Sequence, residues 1–173
     1  RVPSAGDWAV RESGALEIRD GARGVEIASC SFERVGGNAV LVAGDATDIQ
    51  LSDLDVLAPG SSAIVVMGRA ARDNAAADAK FPDGVAIDRL VCSEVGVLAK
   101  QSSALFVALA RNVSVSDSVL FNGTADSVLR GVSWGWPPSV AVAKYRASRS
   151  SGHSFAFRCS RERFAASQAL SID

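Results

Sequence analysis

Six side chains in this sequence are of ionisable or hydrogen-bonding types that could bind a ligand or take part in acid–base chemistry: Asp53, Arg89, Glu94, Lys100, Gln101 and Asp117. A glycosidase needs two carboxylates at a set separation. A lyase needs a base together with cations that stabilise the charge developing next to a uronate carboxyl. Carboxylates, cations and an amide are all present in the set, so its chemistry depends on which members the fold brings together.

Three of these residues recur at the same point of similar sequence blocks. When the blocks are aligned, Asp53, Arg89 and Asp117 form one outward column together with Ser29. Arg89 would then lie between two carboxylates and neutralise them on adjacent rungs of a sheet. Opposite charges that face each other across strands contribute only about 0.2–1 kcal/mol and are common. An ordinary ion ladder is therefore favoured over a substrate site here.

The other three candidates surround one predicted turn. Glu94 shares a second column with Arg34 and Asn122, and Lys100 and Gln101 follow it in a short loop. A carboxylate and an ammonium group near one turn could bind a sugar or an acidic substrate. A solvated turn explains the same residues and is the favoured interpretation.

The sequence gives little sign of a metal site. Asp45, Asp48 and Asp55 could contribute to calcium binding, because calcium prefers carboxylate oxygens. A regular D-x-D-x-D-G loop is missing, however. We therefore expect no metal and no other cofactor, with calcium as the alternative.

Cysteine and histidine are too few and too scattered to indicate a catalytic centre. Cys30, Cys92 and Cys159 are odd in number and widely spaced, which favours neither a disulfide framework nor a zinc site. Cys30 and Cys92 are predicted to fill the core. The only histidine, His153, lies near Cys159 in a stretch without a predicted scaffold, which disfavours a nucleophilic pair.

The frame that aligns these columns is a repeat of short strands. Four blocks match, the first two with a shift of 24 residues: 24–35, 48–59, 84–95 and 112–123. Apolar residues alternate within each block in two groups separated by a turn, which is the period of strands and not of helices. The aligned columns are Val25, Ile49, Val85 and Val113; Ile27, Leu51, Ile87 and Val115; Cys30, Leu54, Leu90 and Ser118; and Phe32, Val56, Cys92 and Leu120.

A further strand accompanies each block. It begins with Gly, Asn or Ser followed by Ala, at 14–18, 38–42, 62–66 and 103–107. No single unit is long enough to hold a core, but coils stacked at roughly 4.8 Å would pair their strands in parallel and bury each apolar column. The sequence therefore predicts an all-β fold, a right-handed parallel β-helix (solenoid) of about four coils.

Two insertions and a tail depart from the repeat. The insertions span 69–83 and 97–101, and in repeat proteins such loops often mark the binding face, although a tolerated surface loop is an equal alternative. Segment 124–173 carries seven Lys/Arg against three acidic residues and is rich in Ser. It is predicted to be an irregular basic tail, disordered or capping the coils of 8–123.

The overall charge limits the partners. A formal net charge of −1 disfavours nucleic acid, and no apolar stretch approaches the roughly 20 residues of a membrane span. The sequence sets neither the oligomeric state nor the substrate.

Residues 8–123 resemble a group of right-handed parallel β-helix proteins in the pectin-lyase-like superfamily, in stretches such as GALEIRDGARGVEIASCSFERVGG and LAKQSSALFVALARNVSVSDSVLFNG. The segments KQSS at 100–103 and FNG at 121–123 are the most specific. In that group further coils follow Asn-Gly, so the resemblance implies that coils are missing after residue 123. It also implies an extracellular or cell-surface protein that contacts polysaccharide.

Three functional hypotheses remain open. The preferred one is a carbohydrate-binding or polysaccharide-processing module, of lyase or glycoside hydrolase type if it is an enzyme. The second is a noncatalytic structural or adhesion solenoid. The third is a nonfunctional fragment that results from an incorrect gene model.

Overall fold

A computed structural model of the protein describes residues 11–69 and 79–123 with their side chains, and the backbone of four later strands. The strands in chain order are β1 (Gly14–Ile18), β2 (Glu26–Ala28), β3 (Ser31–Glu33), β4 (Asn38–Ala43), β5 (Thr47–Ser52), β6 (Asp55–Leu57), β7 (Ile64–Met67), β8 (Asp83–Asp88), β9 (Val91–Ser93), β10 (Leu105–Ala108), β11 (Arg111–Ser116), β12 (Val119–Phe121), β13 (Arg130–Val132), β14 (Val140–Val142), β15 (Tyr145–Ser150) and β16 (Ser154–Cys159). The described residues include no helix, and hence none that could cross a membrane.

The chain visits three parallel sheets in turn. Sheet A has the order β1-β4-β7-β10-β13, and sheet B has the order β14-β11-β8-β5-β2. Sheet C pairs β3, β6, β9 and β12 in parallel. Each of the first four coils contributes one strand to each sheet. The predicted all-β parallel β-helix of about four coils is confirmed.

The register reproduces the apolar columns that the sequence predicts. In sheet B, Leu51 is paired with Ile27 on one side and with Ile87 on the other. In sheet C, Val56 is paired in the same way with Phe32 and Cys92. The inward residues of the middle coils are fully buried and form one continuous core. Alternate residues point outward, so each sheet presents an outer face whose side chains are also stacked in columns.

The corners between sheets force one residue per coil into the left-handed region. At the corner between sheets B and C, the B–C corner, φ is 55° at Ser29, 53° at Asp53, 52° at Arg89 and 46° at Asp117. At the corner between sheets C and A, the C–A corner, the residues with positive φ are Arg34, Ala58, Glu94 and Asn122. Asp and Asn tolerate this conformation better than most residues, because their short polar side chains can hydrogen-bond locally. Backbone geometry therefore accounts for Asp53, Asp117 and Asn122 in these two columns.

Four short strands lie within segment 124–173. Strands β13 and β14 extend sheets A and B in parallel, pairing with β10 and β11. Strand β16 pairs antiparallel with β12, and β15 pairs antiparallel with β16, so sheet C ends in a hairpin. The other residues of this segment are outside the described part, and its irregular character stays a prediction.

Candidate functional site

The fold separates the six candidate residues into two sets. Asp53, Arg89 and Asp117 lie at the B–C corner, whereas Glu94 lies at the C–A corner, ahead of the loop that carries Lys100 and Gln101. Strand β9 runs between the two corners. At roughly 3.3 Å per residue, the five steps from Arg89 to Glu94 span about 16 Å. The six side chains therefore do not form one site.

At the B–C corner, Arg89 is fully engaged by carboxylates of its own chain. It donates from Nε to Asp53 Oδ1 at 2.5 Å and from Nη2 to Asp53 Oδ2 at 2.7 Å, and its Nη1 donates to Asp88. Asp88 also accepts a hydrogen bond from Ser116 Oγ at 2.6 Å. These contacts link three successive coils.

The predicted ion ladder is thus present, but one of the two carboxylates that pair with Arg89 is not the predicted one. Arg89 was expected to neutralise both Asp53 and Asp117, but no ion pair joins it to Asp117 among the described residues. Its third contact goes instead to Asp88, the residue before it in the chain. The bidentate pair holds the pKa of Asp53 below its usual value and raises the pKa of Arg89. Asp53 is therefore ionised at neutral pH and cannot serve as a general acid.

The loop at the C–A corner exposes its polar residues and anchors its backbone. Lys100 and Gln101 are exposed, and Leu98 is 66% exposed. The N–H groups of Leu98 and Ala99 both donate to the carbonyl oxygen of Gly60, at 3.0 and 2.8 Å. This anchoring holds the loop against the preceding coil.

The serines that follow Lys100 and Gln101 face inward. Ser102 is buried, and its Oγ lies 2.9 Å from Ser61 Oγ in the neighbouring coil. Ser103 is buried as well. Ser102 therefore connects two coils, and only the first two residues of the KQSS segment are exposed.

The two insertions depart from the β-helix coils at opposite ends of the sheet A strands. The longer insertion departs between β7 and β8, where Arg69 and Lys80 exchange backbone hydrogen bonds of 2.7 and 3.0 Å. The Lys80 ammonium lies 3.8 Å from Asp20 and 3.6 Å from Asp45, which ties this neck to the first two coils. The shorter insertion precedes β10. The neck of the longer insertion is therefore at the carboxyl end of β7, and the shorter insertion is at the amino end of β10.

A cavity of about 160 Å³ lies on the outer face of sheet A, at the carboxyl ends of its strands. Leu41, Ala43 and Met67 form an apolar floor. Leu41 is completely buried, whereas Ala43 and Met67 are partly exposed. The remaining lining residues are Glu12, Arg19, Gly44, Gly68 and Arg69. Hereafter these eight residues are called the sheet A cavity.

The polar rim of the cavity combines two guanidinium groups, those of Arg19 and Arg69, with one carboxylate, that of Glu12. Arg19 donates from Nε to Glu17 Oε2 at 2.6 Å and from Nη2 to the carbonyl oxygen of Glu12. The hydrogen bond from Arg19, followed by that from the Gly14 N–H, lowers the pKa of Glu17. Arg69 is exposed, and its side chain makes no ion pair with any described residue. Of the two guanidinium groups that line the cavity, only that of Arg19 is paired with a described carboxylate.

Sequence patterns miss this cavity because its residues come from separate parts of the chain. Glu12 and Arg19 flank β1, Leu41 and Ala43 belong to β4, and Arg69 follows β7. The apolar floor residues look like ordinary strand residues in the sequence. Two available signals are the insertion after Gly68 and the strand alternation, which places Leu41 on the face opposite to the core.

Metal ligands and nucleophiles do not form a site in the part of the chain that can be described. Asp45 lies near the neck of the long insertion and Asp55 follows the B–C corner; no group of three His, Cys, Asp or Glu side chains suited to a metal occurs within 11–69 and 79–123. Cys92 is buried in the core, as predicted, and burial raises the pKa of its thiol to about 12. His153 is outside the described residues.

The assignment of the fold as a parallel β-helix follows from the strand pairing and register. Comparison of the chain with protein-family models, with curated proteins and with solved structures finds no match. The functional argument therefore depends on the geometry of the site itself.

Proposed function

We propose that the protein binds carbohydrate in the sheet A cavity, as a parallel β-helix module of the pectin-lyase-like kind. One observation carries the proposal: an apolar floor and a rim of guanidinium and carboxylate groups meet in one concave space. Ligand sites in proteins are concave and largely apolar, with a few polar groups that fix orientation. The repeat pattern and the resemblance of 8–123 support the superfamily assignment.

The chemistry of the cavity suits a sugar ring. A pyranose has C–H groups on its faces, which can pack against Ala43 and Met67. Its hydroxyl groups both donate and accept hydrogen bonds, whereas guanidinium groups only donate and carboxylates only accept. A volume of about 160 Å³ is close to the roughly 150 Å³ of a cavity that holds one benzene-sized ring. A hexopyranose has about twice the heavy atoms of benzene, so the cavity would receive one part of a sugar unit, with the rest of the glycan outside.

The proposal is one of binding and not of turnover. Hydrolysis needs a carboxylic acid that keeps its proton near neutral pH beside a second carboxylate. Asp53 is kept ionised by Arg89, and Glu17 is kept ionised by Arg19. Neither can supply that proton.

Binding assays on matched arginine and lysine variants test the proposal. We expect Arg69→Gln to weaken binding in a glycan panel by about 10-fold, the effect of one charged hydrogen bond. Lys100→Ala should leave binding unchanged, as should the control Arg34→Gln at a side chain that is 79% exposed. Circular dichroism should show that every variant is folded.

The other outcomes identify the alternatives. Loss of binding in Lys100→Ala with retention in Arg69→Gln would move the site to the C–A corner and refute the proposal. A folded wild-type protein that binds no glycan would support the structural or adhesion solenoid.

A further inference from the structure

We infer that a glycan held in the sheet A cavity continues onto the ring of Phe106, which forms a second sugar subsite; the inference rests on the proposed carbohydrate binding. The cavity receives only part of one sugar unit, so the other units of the glycan lie on the surface around it. The side chains exposed beside the cavity floor therefore determine the path of the glycan.

Phe106 lies on the outer face of sheet A, the face that carries the cavity. Its neighbours in β10, Leu105 and Val107, are each 1% exposed and belong to the core. Strand alternation therefore directs Phe106 outward, and its side chain is partly exposed there. Among the described outward residues of β1, β4, β7 and β10, Phe106 is the only aromatic one. These four strands thus offer one ring on which a sugar can stack.

The strand register places Phe106 beside the cavity floor. Met67 of the floor is paired with Ala108 in β10, and Phe106 lies two residues before Ala108. Strands about 4.8 Å apart and a step of about 6.6 Å along β10 put the Cα atoms of Met67 and Phe106 roughly 8 Å apart. Neighbouring units of one glycan can span that distance.

The exposure of the side chains favours the path along β10. Met67, Ala108 and Phe106 are all partly exposed, so apolar surface continues from the cavity floor to the ring. Val65, which pairs with Phe106 on the same face, is 1% exposed and offers no surface to a ligand. A glycan that follows exposed apolar surface from Met67 onto β10 therefore passes Ala108 and reaches Phe106.

A phenyl ring favours sugar faces that consist of C–H groups. The face of an aromatic ring is electronegative, and it attracts the slightly positive hydrogens of sugar C–H groups. An aliphatic side chain in the same place would bury apolar area without this attraction. The subsite therefore takes a hexopyranose unit that turns toward Phe106 a face without an axial hydroxyl group.

Sugars of different length distinguish the two subsites. The probes are the methyl β-glycosides of glucose, galactose and mannose and the β-linked tetramer of each, with affinities measured by NMR titration. We expect the tightest-binding tetramer to bind the wild-type protein at least about 10-fold more tightly than its methyl glycoside, because one stacked unit adds roughly that factor.

Substitutions of Phe106 test whether the ring is responsible for this gain. Phe106→Ala should remove most of the gain and leave the affinity for the methyl glycoside unchanged, since that probe reaches only the cavity. Phe106→Tyr should keep the gain, whereas Phe106→Leu, which keeps an apolar side chain but no ring, should lose most of it. The matched control Phe121→Ala removes a partly exposed phenyl ring from the outer face of sheet C and should change neither affinity. Circular dichroism should show that the variants are folded.

The contrary outcomes distinguish failure of the inference from failure of the proposed function. A tetramer that binds the wild-type protein no more tightly than its methyl glycoside would overturn the second subsite while binding in the cavity stands. Equal loss of both affinities in Phe106→Ala, or a full gain in Phe106→Leu, would overturn the stacking role of the ring. If no probe binds to the folded wild-type protein, the proposed function fails and the subsite fails with it.

Discussion

Two arginines show how similar residues serve different roles on this solenoid. Arg89 at the B–C corner donates to Asp53 and Asp88, and its contacts link neighbouring coils. Arg69 at the sheet A cavity is exposed beside an apolar floor, with no ion pair to a described residue. The first arginine completes a surface network, whereas the second is the arginine that the proposed function assigns to ligand binding. A column of charged residues that pair with one another is therefore a weaker indication of a ligand site than a cavity lined by an exposed arginine.

The backbone sharpens this contrast. The charged column at the B–C corner lies where every coil needs a left-handed residue, and two of its four members are aspartates. Arg69 is under no such backbone requirement, since its φ is not positive. Substitutions at the sheet A cavity are therefore expected to alter binding, and substitutions at the B–C corner are expected to alter stability.

Filling the cavity should have the largest effect on binding. Ala43→Leu adds three carbon atoms to the apolar floor and should reduce glycan affinity by about 30-fold or more, which is roughly 2 kcal/mol. Titration calorimetry with the tightest-binding glycan would measure the loss.

The matched control for this variant is Ala86→Leu. Ala86 lies on the outer face of sheet B, between the buried Val85 and Ile87. The control should bind as well as the wild type. Equal losses in the two variants would show that binding does not depend on the sheet A cavity.

Replacing each of the two arginines by glutamine should have opposite effects on stability and on glycan affinity. Arg89→Gln should lower the melting temperature by about 1–3 °C and leave affinity unchanged, since exposed ion pairs contribute little and are screened. Arg69→Gln should shift the melting temperature by less than about 1 °C. Thermal unfolding of both variants, beside the binding assay, checks this pattern. If Arg89→Gln lost affinity at an unchanged melting temperature, the two roles would be reversed.

The stability contribution of the Arg89 pair should depend on pH. The pKa of Asp53 is lower in the folded than in the unfolded protein, so its stabilisation is present above the unfolded value near 3.8. It is lost as the pH falls through the folded pKa. The melting temperatures of wild type and Arg89→Gln should therefore converge as the pH is lowered from about 5 to 2. A constant difference across that range would show that Asp53 is not the partner that matters.

A corner residue without charge tests the backbone explanation alone. Ala58 has a φ of 51° in the column that holds Glu94 and Asn122. Ala58→Asn should stabilise the protein by about 0.5–1 kcal/mol, because Asn tolerates the left-handed region better. Ala86→Asn, placed in an extended strand, should not stabilise. Denaturant unfolding of both would measure the difference, and equal effects would refute the backbone explanation.

The fold was predictable because its determinants repeat along the chain. Columns such as Ile27, Leu51 and Ile87 alternate at the strand period and recur in each aligned block despite the insertion at 69–83, which sets the sheet register. The corner columns were also visible as aligned polar residues. Their backbone conformation was not, because a charged side chain and a left-handed turn residue look alike in a sequence.

The candidate site was less predictable. Which partner Arg89 takes depends on the rotamers of Asp88 and Asp53, and the strand period does not determine rotamers. The cavity joins residues that are far apart in the sequence, such as Glu12, Leu41 and Arg69. Lys100 and Gln101 were placed correctly in an exposed loop, and their role in binding stays a prediction.

The most direct test uses the single methionine of the sequence, Met67, which lies in the cavity floor. With ¹³C-labelled methionine methyl groups, an NMR titration with the tightest-binding glycan reports on this one position. We predict that the Met67 methyl signal shifts in proportion to the bound fraction measured by calorimetry. Saturable glycan binding with an unmoved Met67 signal would contradict the account.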